Sequence, residues 1–134
     1  VTFHGFLDDH AELERRLSRC GIGVALYADV PGDFSRLTDT GKAKVYLACG
    51  LPVVITDVPP VALEIAAHGA GVIVQYDARD VLSGIRRIIG AHHVYRAAAL
   101  KMATELEWAT VFTRAYNQTE ALWPLSSVRA DIST

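Results

Sequence analysis

A Rossmann-like, doubly wound α/β fold, with a parallel sheet and flanking helices, is what this sequence predicts. Three observations point to it. IGVALY (22–27), PVVIT (52–56) and AGVIVQY (70–76) are apolar runs of strand length, and PVVIT, lacking the alternation of a half-solvated strand, reads as buried on both faces. Each is followed by a stretch of helical spacing. The connectors are mostly short and marked by Gly, Pro and Asp, as strand–helix alternation in a parallel sheet requires.

The elements follow in order. Val1 to Phe6 reads as a first buried strand. Asp9, with Glu12 three residues later, forms a capping-box pattern that opens a helix through about Arg19. Leu13 and Leu17 share its inner face, and Glu12, Arg15, Arg16 and Arg19 go to solvent. Gly21 ends that helix ahead of the second strand, 22–27, and the loop ADVPGDFSRLTDTG follows. Lys42 to Cys49 has helical spacing, with Gly50 as its stop and Pro52 beyond. PVVIT is the third strand. Pro59 and Pro60 start a helix that packs through Leu63, Ala66 and Ala67 and ends near His68–Gly69. AGVIVQY is the fourth strand. Asp77 to Ile89 is a helix with Val81, Leu82, Ile85, Ile88 and Ile89 inward. Two helical stretches, about His92 to Glu107 and Trp108 to Leu122, complete the domain at 1–122, and a loose polar tail occupies 123–134, most clearly from Ser126. In such sheets ligands bind outside the carboxyl ends of the strands, which selects three loops: His4 to Asp9, Tyr27 to Lys42 and Thr56 to Pro60.

Composition narrows the function classes. A chain of 134 residues, 51% hydrophobic with mean hydropathy +0.22, has material for one real core. Thirteen basic against fifteen acidic residues give net charge -2, which argues against a nucleic-acid footprint. The longest apolar run, Leu51 to Ile55, falls far short of the ~20 residues that span a bilayer. Cys20 and Cys49 both sit in apolar surroundings without C-x-x-C spacing, so buried thiols in a reduced, cytoplasmic setting are expected. Strand-like sequence beginning directly at Val1 reads as a piece of a longer protein.

Several motifs fail. Gly41–Lys42 is not a P-loop, because Arg36 stands where its first Gly belongs and Ala43 replaces the Ser or Thr. No G-x-G-x-x-G joins a strand to a helix, and no G-x-S-x-G elbow exists. The five histidines lack ligand spacing, so no metal is expected. Asp8–Asp9 reads as capping rather than as a catalytic carboxylate pair. The helix start at Thr40–Gly41–Lys42 is different. Its free N–H groups and the positive end of its dipole favour an anion, with Gly41 permitting close approach, Thr40 a hydroxyl and Lys42 a charge. The competing reading has Asp39 capping the helix, with Lys42 and Lys44 merely solvated, and local spacing leaves the two even.

The stretches VTFHGFLDD, ELERRLSRCGIGVALY, TDTGKAKVYLACGLPVVITDVPPVALEI and GAGVIV together resemble the carboxyl-terminal domain of GT-B glycosyltransferases, most closely the retaining family four enzymes. The likeness runs to about Tyr116, with Trp108 and Phe112 similar to the closing W…F helix of that family. It implies a truncated C-terminal half of a GT-B fold that binds a UDP- or GDP-linked sugar donor and transfers the sugar to an acceptor hydroxyl, without metal or other cofactor. Gly5, Phe6 and Leu7 would flank the base. Tyr27, Asp39, Thr40, Gly41, Lys42, Val45 and Tyr46 would approach the ribose, phosphates and sugar, with Lys42 the catalytic cation at the leaving diphosphate. Val45 stands where many relatives carry a ribose-binding Glu, and the earlier acidic position falls near Leu37 or Thr38. A non-catalytic scaffold of the same fold is therefore the second expectation, and a GT-B sugar epimerase the third. The resemblance further implies two strands ahead of Val1, a missing amino-terminal domain as partner, self-association of the isolated chain, and peripheral membrane contact where the acceptor is a lipid.

Overall fold

The computed structural model describes residues 2–122. Two compact units divide them, one up to Ala103 and one from Thr104 onward. The first holds α1 (His10–Leu17), β1 (Gly23–Ala25), a single 3-10 turn (Phe34–Leu37), α2 (Gly41–Ala48), β2 (Val53–Thr56), α3 (Val61–Ala67), β3 (Gly71–Val74), α4 (Ala78–Gly90) and most of α5 (His92–Glu105). The second holds α6 (Trp108–Leu122). None of the helices among the described residues is long and apolar enough to cross a membrane.

The three strands form one parallel sheet in the order β1-β2-β3, with Gly23 opposite Val53 and Val53 opposite Gly71. Parallel neighbours need a crossover, and α2 and α3 supply the two. The central strand β2 is buried along its whole length, as its unalternating Val-Val-Ile-Thr demands. Helices cover both faces. The face carrying Gly23, Val53 and Gly71 meets Tyr46 of α2 and Ile65 of α3. The opposite face carries Val54, Val72 and Val74, which pack on Ile88, with Ile22, Leu26, Val81, Ile85 and Tyr95 around them. Each such buried aliphatic side chain contributes roughly 1.5–3 kcal/mol of transfer free energy.

α5 fastens the amino ends of the strands. His92 Nε2 donates to the Gly21 carbonyl at 2.7 Å, just ahead of β1. One turn later, Arg96 Nη1 donates to the Gly50 carbonyl at 3.1 Å, just ahead of β2. The carboxyl ends, on the other side of the sheet, are left to the loops.

The structure corrects several expectations. Residues 2–9 form no strand, so the first unit holds three strands among its described residues rather than four. Gly5 sits at φ +70, which breaks any extended run, and Phe3 and Phe6 are about nine-tenths exposed. α1 ends at Leu17, capped at Ser18, before Gly21 is reached. Asp9 does cap it, accepting from the Ala11 N–H at 2.9 Å, but Glu12 does not complete a capping box. Its carboxylate instead pairs with Arg15 at 2.6 Å and Arg16 at 2.7 Å. Cys20 is exposed, whereas Cys49 is buried as expected, and both are free thiols.

On α3 the buried residues are Val61, Ala62 and Ile65, while Leu63, Ala66 and Ala67 point outward. At about 100° per residue, Leu63 and Ala67 lie on the far side of the helix from the Val61–Ile65 stripe. On α4, Val81, Ile85 and Ile88 face the sheet, but Leu82 and Ile89 are 46% and 63% exposed. They sit some 80–100° around the helix from Val81, beyond the stripe the sheet covers. The order 1-2-3 also contains no reversal, so the described sheet has no switch point. The tail from 123 and Val1 lie outside the described residues.

Gly71 is the tightest position in the sheet. A Cβ built there falls 2.1 Å from the Val53 carbonyl oxygen and 2.7 Å from Ile65 Cγ2. Gly71→Ala is expected to lower unfolding free energy by about 1–3 kcal/mol, as overpacking of a closed core does. Urea denaturation of the variant against the parent checks this, and an unchanged midpoint would show that the sheet and α3 yield without cost.

Candidate ligand-binding site

The site begins where the ladder of β1 and β2 ends. The last paired residues are Ala25 and Ile55, and beyond them Thr56 continues the pairing with its side chain. Thr56 Oγ1 accepts from the Tyr27 N–H at 2.9 Å and donates to the Tyr27 carbonyl at 2.8 Å. Thr56 is only 2% exposed, so this doubly used hydroxyl is satisfied without water and fixes the backbone of Tyr27. Tyr27 then turns its ring toward the start of α2, where Lys42 Nζ stands 5.7 Å from the ring centroid. A cation over a tyrosine face at this range adds about 0.5–1 kcal/mol at an exposed site, enough to bias where the ammonium rests. Lys42 makes no ion pair among the described residues, unlike Lys44, whose Nζ holds Asp39 at 2.5 Å.

α2 therefore starts without the cap one reading of the sequence assigned to it. Asp39 is engaged by Lys44, and Thr40 occupies the N-cap position with no side-chain cap bond. Thr40 is 4% exposed, and its Oγ1 is buried with no hydrogen-bond partner among the described residues. An orphaned buried hydroxyl costs about 1–3 kcal/mol, so a partner arriving there would gain that back. Beside it Gly41 faces open space, with nothing within 4 Å of a built Cβ, and the first-turn N–H groups have no intrahelical acceptors.

A polar crevice of about 240 Å³ adjoins this helix start through Tyr27. All three strand ends contribute to it: Tyr27 and Asp29 after β1, Thr56 and Asp57 at the end of β2, Gln75 and Tyr76 after β3. Arg36, from the 3-10 turn, closes one wall. Its Nε and Nη2 donate to the two carboxylate oxygens of Asp29 at 2.8 and 2.5 Å. That bidentate bond holds the Asp29 carboxyl below the ordinary aspartate range and pushes the guanidinium of Arg36 up, with Asp57 adding a smaller Coulombic attraction to Arg36.

The other residues expected at the site are placed as follows. Tyr46 packs inward, half-buried, where a Cβ on Gly23 would fall 2.4 Å from its ring. Burial, and secondarily Tyr27, raises its phenol. Val45 is half-buried on α2, next to the helix face that buries Ala43 and Leu47. Gly5 and Leu7 line a separate groove against Leu13, Leu17 and Cys20 of the α1 region, and Phe6 is 89% exposed. The structure thus joins Tyr27, Thr40, Gly41 and Lys42, and puts Gly5, Phe6 and Leu7 on an irregular segment that follows no strand. Among the described residues no cluster of three His, Cys, Asp or Glu side chains could hold a metal ion. Asp29, Arg36, Asp57, Gln75 and Tyr76 were not singled out from the sequence. Asp29, Arg36 and Asp57 fall within loops that strand ends selected, but pairing of Asp29 with Arg36 across seven residues has no periodic signal.

Fold and site together define an α/β chain with a parallel sheet, a polar crevice at the sheet's carboxyl edge and an uncapped, lysine-bearing helix start beside it. Comparison with protein-family models, with curated proteins and with solved structures returns no match.

Two outcomes are expected here. Thr56→Val keeps the shape but strands the Tyr27 N–H and carbonyl, and should cost about 1–3 kcal/mol in urea denaturation. Arg36→Ala should raise the midpoint of the Asp29 carboxyl toward the ordinary value of about 3.9, followed by carboxyl-carbon NMR. The sign follows from the depressed folded value: the Asp29–Arg36 pair stabilises fully above the unfolded pKa and is lost as pH falls through the folded one. The parent should therefore keep its 28–38 loop contacts through about pH 4 and lose them only as the pH falls further, through the lowered Asp29 value. Identical Asp29 midpoints in parent and variant would contradict the pairing.

Proposed function

We propose that this chain is the donor-binding part of a GT-B-type glycosyltransferase, taking a UDP- or GDP-linked sugar with its diphosphate at the start of α2. The observation that carries the reading is that helix start: a buried Thr40 hydroxyl without a partner, an open Gly41 and an unpaired Lys42 set over Tyr27. Free N–H groups, dipole and ammonium meet there, and an anion with several oxygens suits all three. Lys42 would neutralise charge developing on the leaving diphosphate, and fixed donors aimed at such charge are a large catalytic term. Neither metal nor other cofactor is invoked. Acceptor choice and part of the catalytic centre would come from a further domain, and a lipid acceptor would bring that assembly to a membrane surface. A reducing cytoplasm suits the two free thiols.

A scaffold without catalysis is the second reading. It is favoured by α2 itself, whose first turn carries no acidic residue and whose Val45 offers ribose hydroxyls no acceptor.

Calorimetry of the chain with UDP-glucose and GDP-mannose separates the two. A donor site gives saturable heat with at least one of them, and Lys42→Ala weakens it by about tenfold or more, the loss of one charge-assisted contact. Gly41→Ala should fold as well as the parent, since its Cβ meets no atom, yet bind the donor less tightly. No heat with either sugar nucleotide would leave the scaffold, and undiminished binding by Lys42→Ala would remove that lysine from the site.

A further inference from the structure

The crevice between the three strand ends differs in chemistry from the helix start beside it. Asp29 and Arg36 cancel each other in a bidentate pair, and Asp57 adds an exposed carboxylate, so the walls are neutral to acidic. A phosphate is repelled there, whereas Lys42 and the N–H groups of α2 attract it. Size also separates the two. About 240 Å³ lies below the roughly 300–1,000 Å³ of pockets that enclose drug-sized ligands, which leaves room for a single small ring and not for a nucleotide.

The wall groups define what that ring must carry. Asp57 offers a carboxylate that accepts hydrogen bonds, Gln75 an amide that donates and accepts, and Arg36 still has N–H donors on Nη1 after binding Asp29. Tyr76 adds an aromatic ring that is largely exposed, whereas one face of Tyr27 is already occupied by Lys42. Donors and acceptors beside an exposed aromatic ring match a ligand with hydroxyls on its rim and C–H groups on its face. We propose that this crevice binds a neutral, hydroxyl-rich ring, a pyranoside, through Asp57, Gln75, Arg36 and Tyr76, independently of any anion at α2. The inference does not require the sugar-nucleotide reading, because the crevice supplies its own contacts.

The test is a titration of the ¹⁵N-labelled chain, followed by ¹H–¹⁵N correlation spectra, with the methyl α-pyranosides of glucose, mannose and galactose and, separately, with inorganic phosphate. At least one glycoside is expected to shift the amides of Asp29, Asp57, Gln75 and Tyr76 saturably, leaving Gly41, Lys42 and Ala43 in place. Phosphate is expected to leave the crevice amides unmoved. Tyr76→Ala, at an exposed side chain, should retain the dispersion of the core and weaken the glycoside by about five- to tenfold, the worth of one aromatic contact. Asp57→Asn should weaken it as well, with the fold read from the same spectra. The proposal is overturned if none of the three glycosides shifts those four amides, if phosphate shifts them, or if folded Tyr76→Ala binds as tightly as the parent. Binding of UDP-glucose at α2 with no glycoside response would overturn this inference alone.

Discussion

Thr56 reaches across from the end of β2 and closes two hydrogen bonds on the backbone of Tyr27, one accepted and one donated. Parallel strands of three and four residues leave little ladder to hold their exits in register, since pairing stops at Ala25 and Ile55. The hydroxyl extends the pairing by one step in a place where backbone geometry has already diverged. With Thr56 2% exposed, water cannot substitute for either bond. The direction of the chain leaving β1 follows from this, and with it the position of Tyr27, which supports Lys42 on one side and lines the crevice on the other.

A division of labour between the two ends of the sheet rests on the same constraint. At the amino ends, two side chains of α5 one turn apart, His92 and Arg96, hold the carbonyls that precede β1 and β2. Those contacts satisfy two backbone carbonyls of that edge. At the carboxyl ends several polar groups are unpartnered among the described residues: the buried Thr40 hydroxyl, the first-turn N–H groups of α2, the Lys42 ammonium and the Asp57 carboxylate. The unpartnered groups thus gather at the carboxyl ends of the strands, the side on which open parallel sheets take their ligands.

What could be read from the sequence was what periodicity and punctuation encode. β2 and β3 were visible as unalternating apolar runs, α2 by its Gly50 stop, and α4 by the spacing of Val81, Ile85 and Ile88, while its Asp77 cap, which accepts from the Arg79 and Asp80 N–H groups, came only with the structure. The Thr40–Gly41–Lys42 helix start was legible for the same reason, because helix termini carry local signatures. The strand expected at residues 1–6 was lost, since an apolar run becomes a strand only beside a neighbour, and Gly5 turns it away. On α3 the inward stripe was placed on the wrong face, and on α4 it was drawn too wide, because apolar residues alone do not reveal where the covering surface lies or how far it extends. Asp29 and Arg36 met only through the fold: the 3-10 turn at Phe34–Leu37 brings the arginine back to the strand exit, and no sequence pattern marks that return.

The arrangement of charge around Tyr27 gives the last step. Its ring stands between a helix start that carries Lys42 and free N–H groups and a crevice that carries Asp57 beside a self-neutralised Asp29–Arg36 pair. Loss of that pair would change both sides at once. An unpaired Arg36 would be drawn toward Asp57, whose charge it already feels, and would turn the acidic wall into a neutral one that no longer repels an anion. The bidentate bond to Asp29 thus keeps the arginine from competing with Lys42 for an anion. Two adjoining regions of opposite preference, one for oxyanions and one for a neutral polar ring, persist because one carboxylate at the strand exit holds one guanidinium in the loop.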